Sequence, residues 1–400
     1  MLVNAAPLLG VLWLWRFAVA WNPNPGPPII PLIIFSTLLV ALTGGKLLYN
    51  KKNVKVWGKM SLGLTRTAEG FLNHLLPSVS KAQREVIMLY QRFWIYQRER
   101  FPLVSQGLLI GVISLCSVGF SVLLRSAATA TPLESILPLP QLGLAVLVAM
   151  GCALGFFFQM RVADEYKDYD TDLQYRPYRP VQRGLITLRE LAWLAGGMMV
   201  VQLGLSLWLD ARMVLPLLLV WGYMGLMRQE FFVRDWLRRH AVAYMLSHLV
   251  IAPLIFFYIT ACDWLVAGAT PTLGLVWFLA TAFFNGMFYE IGRKIRAPQN
   301  EETGVETYSQ LWGRPTAIAV WWLMLALAGV CAAAAAFAIH FFTPVIGLVL
   351  LLLLITGWLG VRFLQQPRPA SGGTIQSVSA LAMMALYLGL GVLPFVVSRY

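Results

Sequence analysis

Residues 138–172 read PLPQLGLAVLVAMGCALGFFFQMRVADEYKDYDTD. The first part is an apolar run of membrane-spanning length, which takes about 20 residues. It ends in acidic residues, and Asp164, Asp168 and Asp172 follow one another at four-residue steps. This spacing places side chains close to one face of an α-helix, where like charges repel one another unless a hard cation such as Mg²⁺ lies among them. The stretch therefore predicts a membrane helix that ends in a metal site or in a solvated acidic loop.

The composition of the whole chain is that of a membrane protein. Of 400 residues, 58% are hydrophobic and 12% are charged, whereas soluble domains carry about 25% charged residues. The mean hydropathy is +0.69. We identify strong apolar runs at 102–125, 138–160, 190–209, 212–227, 241–262, 272–290, 315–340, 343–362 and 375–397, and weaker ones at 5–21 and 28–45.

The net charge of +13 reflects membrane topology and does not indicate nucleic-acid binding. Most of the 31 Lys and Arg residues lie in residues 46–101 or in the loops after the second, fourth, sixth and eighth strong runs. The exceptions are Arg16, Arg125, Arg212 and Arg399. Because basic loops face the cytoplasm, these loops and the acidic stretch are predicted on that side. Anionic membrane lipids are expected to bind the same loops.

Residues 1–100 are predicted to form an extension ahead of a membrane core at 101–400. Within it, a turn rich in Pro, Asn and Gly at 22–28 joins the two weaker runs and predicts a helical hairpin. Residues 81–100 alternate apolar and arginine-rich faces, which predicts an amphipathic helix at the membrane interface or packed on the membrane core. The predicted fold class is an all-α polytopic membrane protein.

The residues around the acidic stretch resemble the first signature of the UbiA family of intramembrane prenyltransferases. That signature is an Asn or Asp, two aspartates at four-residue steps, then Arg-Pro and Gly. The matching residues are Asp164, Asp168, Asp172, Arg179-Pro180 and Gly184. The resemblance covers residues 101–400 and implies a bundle of nine transmembrane helices. It also implies transfer of a polyprenyl group from its diphosphate to an acceptor, with Mg²⁺ as cofactor.

The second family signature is altered in this chain. It normally has two aspartates four residues apart, followed by Gly, Thr and Gly. Residues matching the later part are Gly304, Thr307 and Gly313. The two aspartate positions, counted back from Gly304, hold Arg296 and Asn300.

This departure leaves two alternatives for the second half of the site. In the first, Glu290 takes over a metal-binding role, with Glu301 as the next acidic candidate. In the second, the second Mg²⁺ site is lost, and Arg293 and Lys294 pair directly with phosphate.

Further residues are assigned to substrate binding by their position in the chain. The resemblance implies that Arg179 and Arg228 lie near the diphosphate. Asn285 lies one or two helical turns before Glu290 and is expected to line the same cavity. His248 is expected to contact the acceptor, to act as a base, or to be a hydrogen-bonded core residue, since polar residues at span depth usually face the bundle interior.

The predicted function is Mg²⁺-dependent transfer of a polyprenyl group to a small-molecule acceptor that the sequence does not identify. Two alternatives are phosphoribosyl-type transfer to a polyprenyl phosphate and a non-catalytic carrier, transporter or assembly protein. The residues predicted to be catalytic or to bind metal are Asp164, Asp168, Asp172, Glu290 and, for metal only, Glu301. Those predicted to bind substrate are Arg179, Arg228, Arg293, Lys294 and Asn285.

Overall fold

The computed structural model describes residues 81–131, 139–301 and 305–397, and these residues form helices and loops without a strand. The α-helices are α1 (Lys81–Arg100), α2 (Leu103–Thr129), α3 (Leu139–Lys167), α4 (Tyr169–Tyr175), α5 (Leu188–Leu209), α6 (Val214–Arg228), α7 (Arg234–Arg239), α8 (Ala241–Leu249), α9 (Ile251–Trp264), α10 (Leu273–Arg293), α11 (Tyr308–Leu311), α12 (Arg314–Ala338), α13 (Phe342–Gln365), α14 (Ser371–Gly391) and α15 (Leu393–Val397). Short 3-10 helices lie at Ala211–Met213, Glu230–Phe232 and Pro298–Asn300. The predicted all-α class is confirmed, and the predicted N-terminal hairpin lies outside the described residues.

Eight helical segments of the described residues are long and apolar enough to cross a membrane. They coincide with the predicted runs except for 212–227, where α6 has only 15 residues. An α-helix of that length is about 22 Å long, whereas the hydrocarbon core of a bilayer is about 30 Å thick. The fourth predicted span is therefore a short helix, extended at its start by the 3-10 helix Ala211–Met213.

Glycines let the membrane helices of the larger unit approach closely. A Cβ atom on Gly292 of α10 would collide with Ser379 of α14 and Trp321 of α12. On α2 and α14, a Cβ on Gly119 or Gly391 would overlap a backbone carbonyl of the facing helix. Small residues are favoured at such crossings because packing, and not water exclusion, drives helix association in lipid. These contacts fix α10, whose last turn carries much of the candidate site.

A polar network centred on Gln202 joins α3, α5 and α6 inside the bundle. The Oε1 atom of Gln202 accepts hydrogen bonds from Gln159 at 2.8 Å and from Trp221 at 3.1 Å. Its Nε2 atom donates to the Cys152 carbonyl at 2.8 Å. The absent side chain of Gly155 leaves room for the Gln202 amide. Because unpaired polar groups are costly in the membrane, this network holds α3 in a defined position and thereby positions the acidic residues at its end.

The described residues divide into two compact units. The smaller contains residues 81–102 and 169–188, so α1 belongs to the same unit as the loop that follows the acidic stretch. Within it, Arg183 donates two hydrogen bonds to Glu99, at 2.9 and 2.8 Å. The larger unit holds the remaining described helices. The division of the chain at residue 100 stays a prediction.

Candidate functional site

The last turn of α3 presents two carboxylates on one helical face. The Asp168 amide donates to the Asp164 carbonyl at 2.9 Å, which continues the helical hydrogen bonding past Lys167. Asp164 lies 3.5 Å from Arg161, and its side chain is 54% exposed. Asp168 is also exposed. The first two carboxylates of the acidic stretch are thus one turn apart and accessible to a ligand.

Asp172 belongs to the smaller unit and is engaged by arginines of the same unit. Its carboxylate is 1% exposed, contacts Arg176 at 3.2 Å and also accepts a hydrogen bond from Arg179. Burial, and then the nearby charge of Arg100, lower the pKa of the Arg179 guanidinium, whereas its bond to Asp172 acts in the opposite direction. In this arrangement Asp172 anchors the two arginines, and its predicted metal and catalytic roles stay predictions.

The loop that presents Arg179 turns back at Gly184. Its φ of +77° lies in the left-handed region that favours glycine because glycine has no Cβ. The Gly184 amide bonds to the Val181 carbonyl at 3.0 Å, and the Leu185 amide bonds to that of Pro180 at 2.9 Å. The Gly of the first signature is therefore required by backbone geometry at this turn.

The last turn of α10 carries Glu290 and Arg293, which come just before the altered second signature. The side chain of Glu290 is 18% exposed and bonds to Arg293, while its other oxygen lies 3.0 Å from the Nζ atom of Lys294. The charges of Arg293 and Asp164 also interact. The C-terminal ends of α3 and α10 therefore lie within electrostatic range of one another in the larger unit, with carboxylates on the first and two cations on the second.

The loop after α10 is braced by Glu301. One of its oxygens accepts a hydrogen bond from Thr307 and the other from Ser309, both at 2.8 Å. The Lys294 ammonium lies 5.4 Å from the ring centre of Tyr308, and burial together with the charge of Glu290 raises the pKa of the Tyr308 hydroxyl. Glu301 thus stabilises the loop, and its predicted metal role stays a prediction. Gly304 lies outside the described residues.

Two predicted substrate-binding residues occupy different environments. Arg228 is exposed at the end of α6, with its guanidinium 5.6 Å from the ring centre of Tyr166 on α3. Asn285 is fully buried and donates to the Met383 carbonyl at 3.3 Å, which joins α10 to α14. Arg228 is thus free to reach a ligand beside α3. The substrate contact predicted for Asn285 stays a prediction.

Within residues 81–131, 139–301 and 305–397, no three His, Cys, Asp or Glu side chains form a group that could hold a metal ion. Helical neighbours explain part of this result. Arg161 precedes Asp164 by three residues, and Arg293 and Lys294 follow Glu290 by three and four residues. Residues at these spacings meet on a helix surface, so each of these two carboxylates already has a cation beside it.

A second charged cluster, which the sequence did not predict as a unit, lies beside α3. Lys167 is 2.7 Å from the Oε1 atom of Glu230 and donates to the hydroxyl of Tyr244. His248 stacks on Tyr244, with ring centres 3.9 Å apart. We refer to these four residues as the Glu230 cluster. Its sequence signal is weak, because Glu230 is one of two acidic residues, with Asp235, in the basic loop after α6.

An apolar groove of about 650 Å³ lies between α10, α12 and α13. Its wall includes Trp277, Gly329 and Phe342. Trp277 precedes Glu290 by 13 residues, which corresponds to about 20 Å along a helix. The groove is therefore distant from the charged end of α10 and suits a lipid chain rather than a phosphate.

Comparison with known proteins gives structural neighbours only. Neither a protein-family model nor a curated protein sequence matches the chain. A solved structure described as the apo form of a UbiA homologue from Aeropyrum pernix K1 matches with a TM-score of 0.51 and 15% identity, over 73% of this chain and 98% of that one.

Two further solved structures match with lower scores. One, described as digeranylgeranylglyceryl phosphate synthase, has a TM-score of 0.46 and 12% identity, over 72% of this chain and 98% of that one. The other, a UbiA homologue from Archaeoglobus fulgidus, has a TM-score of 0.42 and 13% identity, over 76% of this chain and 100% of that one. On the first match, and in agreement with the resemblance seen in the sequence, the chain has the transmembrane helical fold of the UbiA homologues.

Proposed function

We propose that this protein is an integral membrane transferase that moves a polyprenyl group from its diphosphate to an acceptor. The observation that carries the proposal is the accessible pair Asp164 and Asp168 at the end of α3, of which Asp164 lies within electrostatic range of Arg293 at the end of α10, in a bundle with the UbiA fold. Carboxylates that share a metal ion with phosphate, together with cations that contact phosphate directly, form a site for a diphosphate. The apolar bundle supplies the surroundings that a prenyl chain requires.

The proposed role of the cations is to stabilise the leaving group. When the bond between the prenyl carbon and the diphosphate breaks, both electrons leave with the diphosphate oxygen. Arg293 and Lys294 would balance that charge, and Arg228 would approach from the end of α6. Fixed cations aimed at developing charge are an effective means of lowering a reaction barrier.

The first signature fits a magnesium ion better than the second. Mg²⁺ is usually held by one or two carboxylates together with substrate phosphates and waters, and Asp164 and Asp168 are accessible and one turn apart. Glu290 is occupied by two cations. We therefore propose that Mg²⁺ would bind at the first pair only, where it would neutralise phosphate charge.

The basic loops after α3, α6 and α10 support the proposal that the site opens at the cytoplasmic face. The second, fourth and sixth strong runs end at these loops, and most of the Lys and Arg residues lie on the same side. The positive-inside rule places such loops in the cytoplasm. Polyprenyl diphosphate would then reach the site from that side, with its chain in the membrane.

The test uses the purified protein with Mg²⁺ and tritiated geranylgeranyl diphosphate, and it measures pyrophosphate release and product formation over a set of acceptors. We expect the double substitution Asp164→Asn with Asp168→Asn to lower turnover about 100-fold, since each removes an interaction worth about 1.5–3 kcal/mol. Asp170→Asn is the matched control because it lies in the same stretch off the four-residue spacing. A wild-type protein that neither binds nor turns over the diphosphate would refute the proposal.

One observation favours a second candidate, a non-catalytic relative that binds a prenyl diphosphate or a similar lipid. Glu290, which is the first acidic candidate to replace the carboxylates of the second signature, is paired with Arg293 and Lys294, which lowers its ability to hold a metal ion. Diphosphate binding without pyrophosphate release, with every acceptor tried, would favour this candidate over the transferase.

A further inference from the structure

The Glu230 cluster is held by an unusual backbone turn. Glu230, Phe231 and Phe232 have φ values of 51°, 53° and 61°. Three successive residues with side chains in the left-handed region are rare because the Cβ atom crowds the following carbonyl. The turn directs Glu230 inward, where its side chain is 6% exposed, while Phe232 is 78% exposed. Such local strain persists where the surrounding structure imposes it, and it is enriched at functional sites.

Inside the cluster, one carboxylate oxygen is neutralised and the other is not. Lys167 lies 2.7 Å from Oε1 of Glu230. The other oxygen, Oε2, is buried without a hydrogen-bond partner among the described residues. A buried carboxylate oxygen without a donor is costly, so this atom is available to accept a hydrogen bond from a ligand or a water molecule.

His248 offers a second acceptor opposite the first. Its Nδ1 atom lies 2.9 Å from the Tyr244 carbonyl, and because a carbonyl only accepts, Nδ1 carries the hydrogen. In the neutral ring Nε2 is then an acceptor. Nε2 is buried without a partner in the part of the chain that the structure describes, and it lies 4.0 Å from Oε2 of Glu230. That separation is too long for a direct hydrogen bond, so two basic atoms face a gap between them.

The walls of the gap are aromatic. The Tyr244 ring stacks on the imidazole at 3.9 Å between centres, and the Phe231 ring meets it edge-on at 5.8 Å. Tyr223 packs against Phe231 at 5.5 Å, and its hydroxyl donates to the Ser247 carbonyl at 2.6 Å. The two atoms of the gap without a partner, Oε2 of Glu230 and Nε2 of the neutral His248 ring, both accept hydrogen bonds, which favours a ligand group that carries a transferable hydrogen.

We infer that the gap between Glu230 and His248 is the acceptor subsite, and that it takes the hydroxyl group of an alcohol or phenol. This inference rests on the proposed transferase function. Either basic atom can accept the hydroxyl hydrogen. In the reaction, the hydroxyl oxygen forms a bond to the first prenyl carbon, the bond from that carbon to the diphosphate breaks, and both its electrons leave with the diphosphate. The hydroxyl proton passes to His248 Nε2, and the carboxylate of Glu230 stabilises the resulting imidazolium.

The experiment separates acceptor handling from diphosphate binding. The donor is geranylgeranyl diphosphate, the hydroxyl probes are phenol, 4-hydroxybenzoate, 1-octanol and glycerol 1-phosphate, and aniline is the amine comparison. His248→Asn retains a donor near the Tyr244 carbonyl but removes the atom at Nε2. His248→Gln keeps an acceptor there that cannot take a proton. Glu230→Gln removes the carboxylate charge, and Lys167→Met with Glu230→Gln removes both charges of the pair if the single variant fails to fold.

We expect His248→Asn to raise the acceptor KM and lower kcat. His248→Gln should lower kcat about 100-fold or more with a smaller change in KM, since a positioned base contributes roughly 10²- to 10⁴-fold. Glu230→Gln should lower kcat, and all variants should bind inorganic pyrophosphate within twofold of wild type. The matched control is His240→Gln, because His240 stacks on Trp236 and bonds to its carbonyl at 2.8 Å in an exposed position.

The possible outcomes distinguish this inference from the proposed function. A wild-type protein that does not bind diphosphate overturns both. A wild-type protein that binds diphosphate and transfers the prenyl group to aniline, but to none of the hydroxyl probes, overturns the acceptor assignment alone, whereas one that binds diphosphate and transfers to no probe counts against both. The assignment also fails if the His248 and Glu230 variants keep wild-type kcat and KM with every hydroxyl acceptor.

Discussion

At the residue scale, the candidate site is governed by charge pairing along single helices. Asp164 has Arg161 three residues before it, and Glu290 has Arg293 and Lys294 within the following turn. Half-exposed pairs of this kind contribute little to stability because water screens them. They do, however, keep cations beside the carboxylates, so an incoming phosphate meets positive charge that is already in place.

The first prediction concerns the two cations at the end of α10. Arg293→Gln and Lys294→Gln should each weaken the binding of inorganic pyrophosphate about tenfold, the low end of the range for hydrogen bonds to charged groups, since both side chains are partly exposed. Binding by wild type should weaken in EDTA but not vanish, because these cations do not depend on a metal. Isothermal calorimetry with and without Mg²⁺ measures both effects.

The control for this prediction is Arg362→Gln. Arg362 lies at the end of α13, where its guanidinium is 5.2 Å from the ring centre of Trp358. It carries the same charge, and its removal should leave pyrophosphate binding unchanged. Loss of all binding in EDTA, or equal weakening in the control variant, would contradict the role given to Arg293 and Lys294.

The residues of the first signature could be predicted from spacing, but their partners could not. Four-residue steps correctly placed Asp164 and Asp168 on one face of a helix. The same steps gave no sign that Asp172 would be buried against Arg176 and Arg179. That outcome depends on a loop turn at Gly184 and on burial, neither of which a helical period describes.

At the element scale, the turn between α6 and α7 is the feature most removed from ordinary helical geometry. A residue with a side chain in the left-handed region costs about 1–2 kcal/mol relative to the right-handed one. Phe232 bears this cost although it is 78% exposed. Its side chain therefore offers little packing in return, and the turn as a whole serves to present Glu230 inward.

The second prediction tests the strain in this turn. Phe232→Gly should stabilise the protein by about 0.5–1 kcal/mol, after allowing for the larger entropy that glycine loses on folding. The control is Val233→Gly, since Val233 has a φ of −126° and gains no relief. Thermal unfolding in detergent should show a higher melting temperature than wild type for Phe232→Gly. Val233→Gly should show no such increase. An equal or lower value for Phe232→Gly would mean that the turn is not strained.

Most elements of the bundle were predictable because apolar length alone defines a membrane helix. The fourth run was the exception in length, since Val214–Arg228 has only 15 residues and is extended at its start by the 3-10 helix Ala211–Met213. The fifth run was found as one span, whereas the structure divides it into α8 and α9 at Val250. Hydropathy cannot detect such breaks, which depend on backbone geometry within a uniformly apolar stretch.

At the scale of the whole molecule, charge asymmetry and fold agree. The ends of α3, α6 and α10 carry the carboxylates and cations of the two charged groups described for the larger unit. The membrane helices carry few ionisable residues at their other ends. One of these residues is Arg125, which is paired with Asp263 at 2.8 Å. One face of the bundle thus concentrates the groups able to bind an anion.

The third prediction concerns the orientation of the bundle in the membrane. Asp235 is exposed in α7, and Thr270 is exposed in the loop between α9 and α10. The segment Ala241–Trp264 lies between them and is long enough to cross once, so the two positions must lie on opposite sides.

The four native cysteines are all buried, and the protein without an added cysteine serves as the background for labelling. A membrane-impermeant maleimide should label Asp235→Cys only in inside-out vesicles and Thr270→Cys only in intact cells, because the positive-inside rule places the basic loops in the cytoplasm. The reverse pattern would move the proposed diphosphate site to the outer face, and labelling of both positions from one side would refute the single crossing between them.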